Sequence, residues 1–185
     1  MTCAVAVRDP KRGCVVVGAD SCGGRSDGDW TVHTLRNQKV FRNGPFVIGY
    51  TSSFRMGQLL QHSFKAPVPP KRGDLLGFMV RDFVEAARAV LKQGGYTRIE
   101  NNAEEAGEFV CAIGRRIFVI ESNLQIIEST EPFAAVGCGS SFALGALRAL
   151  PQTTPAKSRC LAALKVGERS SGGVVRPFHF VSTEP

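Results

Sequence analysis

The stretch TCAVAVRDPKRGCVVVGADS, residues 2–21, contains two apolar segments separated by a short polar loop. The segments at residues 3–7 and 14–19 flank a loop at residues 9–13 with the proline, glycine and charged residues typical of a turn. This pattern predicts a β-hairpin. Because both segments are continuously apolar rather than alternating, we expect each strand to be buried on both faces of its sheet.

Beyond this hairpin, strands and helices occur in separate blocks along the chain. The predicted elements are a second hairpin at 39–50, helices at 53–66 and 74–93, a strand meander at 109–127, helices at 140–150 and 156–166, and a last strand at 174–181. This segregation favours an α+β fold in which two antiparallel sheets pack between helix pairs, a four-layer αββα sandwich. We expect the 185 residues to form a single domain, 1–185.

The composition argues against several classes of function. The 43% hydrophobic and 21% charged residues are typical of a globular protein. No apolar run reaches the roughly 20 residues of a membrane span, and the start of the chain lacks the basic segment of a signal peptide. We therefore expect a cytoplasmic protein with no membrane partner. The net charge of +7 is dispersed rather than clustered, so we expect no nucleic-acid partner.

Metal ligands and cofactor motifs are not evident in the sequence. The six cysteines include no CxxC pair, and neither they nor the three histidines have the spacing of a metal site. We expect no metal and no cofactor.

Thr2 is the candidate nucleophile. Trimming of Met1, which is usual before a small residue, leaves a free α-amine with an unperturbed pKa of about 7.7–8, so the amine can act as a base near neutral pH. A single residue then carries both the nucleophile and its base. Many proteins begin with Met-Thr, so this dipeptide has little specificity by itself. Cys3 is an alternative nucleophile that requires the removal of Thr2 as well.

The hairpin brings a carboxylate towards Thr2. It places Asp20 within about one position of the residue opposite Thr2, and cross-strand neighbours are about 4.5–5.5 Å apart. A carboxylate at the end of an apolar strand requires a cation partner, and Lys39 is the candidate because it immediately precedes an apolar pair. The spacing leaves open which face Asp20 takes. In the alternative interpretation, Asp20 caps a turn and Lys39 is a solvated charge.

Five segments of the chain together resemble a known family. They are Thr2, VVVGADS at 15–21, KVF at 39–41, AVGCGSSFALGALRAL at 135–150 and ERSSGG at 168–173. In this order and at these separations they resemble the proteasome β subunit and its bacterial relative, the heat-shock peptidase HslV. The resemblance runs nearly end to end and implies the N-terminal nucleophile hydrolase fold.

The resemblance also implies roles for three residues. Thr2 matches the family's nucleophile, Asp20 its conserved acid and Lys39 its catalytic lysine. Lys39, held by Asp20, would keep positive charge beside the Thr2 hydroxyl and favour ionisation of that hydroxyl. The proton moves to the amine or through Lys39 as Thr2 attacks a peptide carbonyl, and water then hydrolyses the ester intermediate.

Four further positions match the family motif with three departures from it. Ser53 stands where the family has a glycine whose backbone N–H stabilises the oxyanion. Cys138 stands where the family has serine, so a weak thiol donor replaces a strong hydroxyl donor. Glu168 stands where aspartate is usual, and Ser171 is retained, with its hydroxyl expected near the terminal amine.

The function implied by this resemblance is that of a threonine-type endopeptidase acting on polypeptides. Its implied assembly is a homo-oligomer of stacked rings, with heptamers favoured over hexamers, and an ATP-dependent unfoldase is a candidate partner. The three departures from the motif motivate a first alternative, a ring-forming structural or regulatory homologue with little or no peptidase activity. A second alternative is a non-peptide amidase on the same fold.

Overall fold

A computed structural model gives the structure of the chain and describes residues 2–24, 32–34 and 36–184. The predicted removal of Met1 concerns a residue outside these ranges. In chain order, the described strands are β1 (Ala4–Asp9), β2 (Cys14–Ala19), β3 (Cys22–Gly24), β4 (Val32–Thr34), β5 (Val40–Asn43), β6 (Phe46–Tyr50), β7 (Arg98–Glu100), β8 (Ala103–Glu105), β9 (Phe109–Ile113), β10 (Arg116–Ile120), β11 (Ile126–Glu128), β12 (Phe133–Val136) and β13 (His179–Ser182).

The helices follow the two blocks predicted from the sequence. They are α1 (Phe54–Gln58), α2 (Leu75–Phe78), α3 (Val84–Gln93), α4 (Ser140–Ala149) and α5 (Ala156–Ser170). A π-helical segment at Leu59–Ser63 extends α1, and another at Met79–Phe83 joins α2 to α3. The Asp74 side chain caps α2 by accepting from the Gly77 N–H at 2.8 Å, as expected for a helix N-cap.

The first hairpin lies at the centre of the four-stranded sheet, whose order is β12, β1, β2, β13. Strands β1 and β2 pair antiparallel with Ala4 opposite Ala19. Continuing this register by one residue places Asp20 opposite Cys3. Asp20 is therefore one position from the residue opposite Thr2, as the sequence predicts. All residues of β2 and all but Arg8 of β1 are buried, so both strands are covered on both faces as predicted.

The second sheet has the order β11, β10, β9, β6, β5 and contains the predicted second hairpin and the meander. Strands β5 and β6 are joined at Gly44, whose φ of 56° is a conformation that favours glycine. Strand β5 forms the edge of this sheet. This edge position matters for the site, because Lys39 immediately precedes β5.

The core consists of three apolar clusters, which define four layers. One cluster lies between the sheets and joins residues of β1 and β2, such as Ala4 and Val17, to residues of β6 and β9, such as Val110. A second packs the five-stranded sheet against α1–α3, and a third packs β1 and β12 against α4 and α5. The predicted αββα sandwich of two antiparallel sheets is confirmed.

Some boundaries differ from the predictions. The last strand covers only His179–Ser182, because the Ser21 N–H bonds to the Val175 carbonyl and Pro177 has no N–H to donate. Helix α5 continues four residues beyond the predicted end at residue 166. The short strands β3, β7, β8 and β12 were not predicted.

Candidate active site

Thr2 lies just before β1, next to the edge of the second sheet, and only 3% of its surface is exposed. The Lys39 Nζ donates to the Thr2 Oγ1 at 2.7 Å. This contact brings the candidate nucleophile and the candidate lysine together from different sheets. The apolar cluster between the sheets fixes the separation of β1 and β5, and so fixes this contact.

Asp20 and Lys39 form a buried ion pair. The Lys39 Nζ lies 3.1 Å from Oδ1 and 3.3 Å from Oδ2 of Asp20, and both side chains are fully buried. The carboxylate also accepts three backbone N–H groups, from Cys3 at 2.9 Å, Cys22 at 2.7 Å and Val175 at 3.3 Å. Asp20 therefore caps the turn at Cys22 and also binds Lys39. Such complete satisfaction is what a buried charge requires. The alternative interpretation of Lys39 as a solvated charge is wrong, because Lys39 is only 1% exposed.

The environment of Lys39 changes its acidity. Burial lowers the pKa of Lys39 from its ordinary value of 10.5, while the charge and hydrogen bonds of Asp20 act in the opposite direction. Removing an ammonium from water disfavours its charged form. A buried lysine with a lowered pKa gives up and regains a proton closer to neutral pH than a solvated one. The group is therefore suited to proton transfer at the Thr2 hydroxyl.

The turn at residues 137–139 surrounds the backbone of Thr2. The Thr2 N–H donates to the Cys138 Sγ, and the Thr2 carbonyl accepts from the Cys138 thiol and from the Gly139 N–H, all at 3.3 Å. The Ser171 hydroxyl in turn donates to the Cys138 Sγ at 3.5 Å. Cys138 thus contacts the Thr2 nitrogen, and Ser171 is linked to that nitrogen through the Cys138 thiol.

Gly137 is the residue that makes this close approach feasible. Its φ is 93°, and a Cβ at this position would lie 2.4 Å from the Thr2 carbonyl oxygen and 2.9 Å from the Thr51 Oγ1. Both the backbone conformation and the space therefore require glycine. Gly137 lies in the segment at residues 135–150, whose sequence alone does not predict this role.

Ser53 is the N-cap of α1, and its side chain accepts from the Arg55 N–H at 3.1 Å. Its own N–H donates to the Thr51 carbonyl at 2.8 Å, across Ser52, whose φ is 66°. The N–H expected to stabilise an oxyanion is therefore directed at a protein carbonyl in this conformation. Donating to a substrate would require it to release or share that bond.

Glu168 lies in the last part of α5 and pairs with Arg176, with 2.6 Å between the guanidinium and the carboxylate. The Arg176 guanidinium lowers the pKa of Glu168. The Glu168 carboxylate also accepts from the Arg176 backbone N–H at 3.3 Å. The structure thus places Glu168 against Arg176, whereas Thr2, Asp20, Lys39, Cys138 and Ser171 are connected to one another by hydrogen bonds.

Cys3 does not have the properties of a nucleophile. Its side chain is fully buried, and burial raises its pKa to about 12. Because the thiolate rather than the thiol is the reactive form, this environment suppresses its reactivity. The geometry therefore favours Thr2 over the alternative that the sequence had left open.

Among the described residues, no helix is both long and apolar enough to cross a membrane.

Comparison with known proteins finds curated relatives with similar sequences. No protein-family model matches the chain. The HslV subunit of an ATP-dependent protease from Aquifex aeolicus (strain VF5) is 27% identical over 128 residues, which span 69% of this chain and 66% of that subunit. The match therefore covers just under two thirds of the relative's length.

Solved structures with a similar fold extend this likeness to nearly the whole chain. The structure of BPH from Thiobacillus denitrificans, solved in complex with epoxomicin, is 20% identical with a TM-score of 0.77 and covers 97% of both chains. A eukaryotic HslV from Trypanosoma brucei is 18% identical with a TM-score of 0.68 and covers 97% of this chain and 98% of its own. At these identities, the structural matches establish the fold of the chain.

Proposed function

We propose that this chain, a distant relative of the proteasome β subunits and HslV-like peptidases, is a threonine-type endopeptidase that uses Thr2 to cleave polypeptides. The observation that carries the proposal is the 2.7 Å contact between the Thr2 Oγ1 and the Nζ of Lys39, which is itself paired with Asp20. A hydroxyl in contact with a buried amine is the geometry of an activated nucleophile.

The proposed reaction begins with the removal of Met1, which converts the Thr2 nitrogen to an α-amine. As the hydroxyl attacks the substrate carbonyl, its proton passes to this amine, either directly or through Lys39, which gives up one of its own protons as it takes the new one. The resulting α-ammonium then returns the proton to the departing amine of the cleaved peptide bond. Water then hydrolyses the resulting ester and frees Thr2. Asp20 keeps Lys39 in place throughout.

The developing oxyanion needs a donor, and we assign this role to the N–H of Ser53. One such donor typically contributes about 2.7–4 kcal/mol to the barrier. Because this N–H bonds to the Thr51 carbonyl in the structure, the role requires a local rotation when substrate binds. Cys138 and Ser171 would bind the amine. Glu168 would influence the site either through Arg176 or after its ion pair with Arg176 breaks.

Hydrolysis of an unstructured protein tests the proposal. The wild-type protein with Met1 removed is expected to cleave it, and Thr2→Ser to retain part of the rate because it keeps a hydroxyl and an amine. Thr2→Ala is expected to be inactive while retaining the fold, which circular dichroism can check. Equal rates for wild type and Thr2→Ala would exclude Thr2 as the nucleophile.

A ring-forming homologue with little or no activity is the second candidate. Two observations favour it, namely the Ser53 N–H bonded to Thr51 and the Glu168 carboxylate held by Arg176. Intact mass spectrometry separates the two candidates, because retained Met1 would block the amine. A protein that keeps Met1 and shows no hydrolysis supports this second candidate.

For the assembly, we propose stacked homo-oligomeric rings, heptameric rather than hexameric, that work with an ATP-dependent unfoldase. The likeness to HslV, which is described as a subunit of an ATP-dependent protease, supports the unfoldase partner. The ring size rests on the resemblance to the proteasome β subunit alone. Native mass spectrometry of the purified protein counts the subunits directly. A monomer at micromolar concentration would contradict this part of the proposal.

A further inference from the structure

Glu108, immediately before β9, contacts two segments that flank Thr2. Its carbonyl accepts from the Thr51 N–H at 3.2 Å, and its own N–H donates to the Ser52 hydroxyl at 3.0 Å. Its carboxylate Oε2 accepts from the Gly137 N–H at 3.2 Å. One residue thus binds the loop before α1 through its backbone and the turn after β12 through its side chain.

These two segments contain the atoms on which the proposed chemistry depends. The loop at residues 51–53 includes the proposed oxyanion donor, and the turn at residues 137–139 holds the Thr2 backbone. The segments also approach each other directly, because a Cβ on Gly137 would lie 2.9 Å from the Thr51 Oγ1. A shift of one relative to the other changes the distance between nucleophile and oxyanion donor.

We propose that Glu108 is a positioning residue, which holds the 137–139 turn, and Thr2 with it, in register with the 51–53 loop. This inference rests on the proposed function, since it concerns the rate of attack by Thr2. Glu108 acts through Gly137 rather than on the substrate. Gly137 has no side chain that could anchor the turn, and the Glu108 carboxylate provides this anchor instead.

The bond between the Glu108 carboxylate and the Gly137 N–H is partly shielded from water. The residue is half-buried, and burial raises the pKa of its carboxyl group, with the nearby charge of Glu121 acting in the same direction. A hydrogen bond shielded from water is stronger than an exposed one. The Gly137 carbonyl is held as well, by the Ser140 N–H at 2.9 Å at the start of α4. Both polar groups of Gly137 are therefore fixed.

Three substitutions separate the geometric contribution from the charge. Glu108→Gln keeps the length and an accepting oxygen but removes the charge. Glu108→Asp keeps the charge but is one methylene too short to reach the Gly137 N–H from the same backbone position. Glu108→Ala removes both. The readout is the rate of Thr2 labelling by epoxomicin, a peptide epoxyketone. Measuring this rate over a range of inhibitor concentrations gives the binding constant of the inhibitor and the maximal labelling rate separately.

We expect Glu108→Gln to label within about threefold of the wild-type rate, and Glu108→Asp and Glu108→Ala to label about tenfold more slowly, as the loss of one hydrogen bond implies. The loss should appear in the maximal rate rather than in binding. Thermal unfolding of each variant controls for global stability, and Glu108→Asp replaces Glu108→Ala if the latter does not fold.

Two results would overturn the inference. The first is a Glu108→Asp protein whose Thr2 is labelled at the wild-type rate. The second is an equal decrease of the labelling rate in Glu108→Gln and Glu108→Asp, which would assign the effect to charge. Failure of the proposed function is a different result, because the wild-type protein would then not be labelled at Thr2 at all.

Discussion

Lys39 is a cation held inside the protein by one carboxylate, and this pairing defines the candidate site at the scale of single residues. Its partner Asp20 was predictable because a carboxylate at the end of an apolar strand needs a cation. Lys39 was predictable because it directly precedes an apolar pair. Breaking a buried pair leaves an uncompensated charge, so both stability and activity depend on it.

Replacing Lys39 with methionine tests both effects. Lys39→Met is expected to slow Thr2 labelling at least about 10²-fold, as loss of a proton-transfer group does, and to destabilise the fold by about 3–5 kcal/mol. The double variant Asp20→Asn with Lys39→Met removes both charges and should be more stable than Lys39→Met alone without regaining the labelling. Urea unfolding and labelling kinetics measure the two quantities. A single variant as stable as wild type would contradict the buried pair.

The pH dependence of stability follows from the lowered pKa of Lys39. Between that pKa and the ordinary value of 10.5, the unfolded state binds more protons at this residue than the folded state. The contribution of Lys39 to the free energy of unfolding therefore rises with pH across this window. Urea unfolding at a series of pH values should show wild type gaining stability relative to the double variant. A relative loss of stability with rising pH would show that the pKa of Lys39 is raised instead.

Cys138 is the one exposed thiol, since the other five cysteines are buried. Iodoacetamide is therefore expected to alkylate Cys138 first, and the added group, next to the Thr2 nitrogen, should slow epoxomicin labelling. Cys138→Ser replaces the thiol with a hydroxyl and should resist this inhibition while keeping the activity. Peptide mapping identifies the modified residue. Full labelling after complete alkylation of Cys138 would place its thiol outside the reaction path.

At the scale of elements, helix α5 contains an unusual buried charge. Arg159 is 1% exposed, its guanidinium lies 5.6 Å from the centre of the Phe133 ring, and burial lowers its pKa. Among the described residues, its Nε and Nη2 have no hydrogen-bond partner. Orphaned donors in a buried site cost stability.

Arg159→Met retains most of the aliphatic packing of Arg159 and removes the buried charge. We expect it to raise the free energy of unfolding by about 1–3 kcal/mol, the usual cost of leaving a polar group unsatisfied. Arg159→Lys keeps the charge and serves as the matched control, with no expected gain. Urea unfolding decides the result, and a destabilised Arg159→Met would indicate that the guanidinium has a stabilising partner.

The elements differ in how well the sequence predicted them. The first hairpin was predictable because two apolar runs flank a turn. The small hairpin of β7 and β8 was not, because an ion pair between Arg98 and Glu105 at 3.2 Å links its strands in place of apolar alternation. The last strand was predicted too long because its apolar start, near Val175, gives its backbone groups to Ser21 and Asp20.

At the scale of the whole molecule, the four layers bring together residues that lie far apart in the sequence. The hairpin register predicts the proximity of Thr2 and Asp20, because it is a local property of one strand pair. The roles of Glu108 and Gly137 were not predictable, because they depend on contact between two loops that only the packing of the two sheets creates. The sandwich is therefore what makes the site, and Thr2 lies where its two sheets meet.

The location of an epoxomicin adduct tests the central claim most directly. The protein is incubated with epoxomicin, its mass is measured intact, and the adduct is located by peptide mapping, with Thr2→Ala as control. We expect one inhibitor per chain, attached to Thr2 after the loss of Met1, and no adduct on the Thr2→Ala protein. An adduct that persists in the Thr2→Ala protein would contradict the assignment of Thr2 as the nucleophile. So would a folded protein that has lost Met1 but whose Thr2 does not react with epoxomicin.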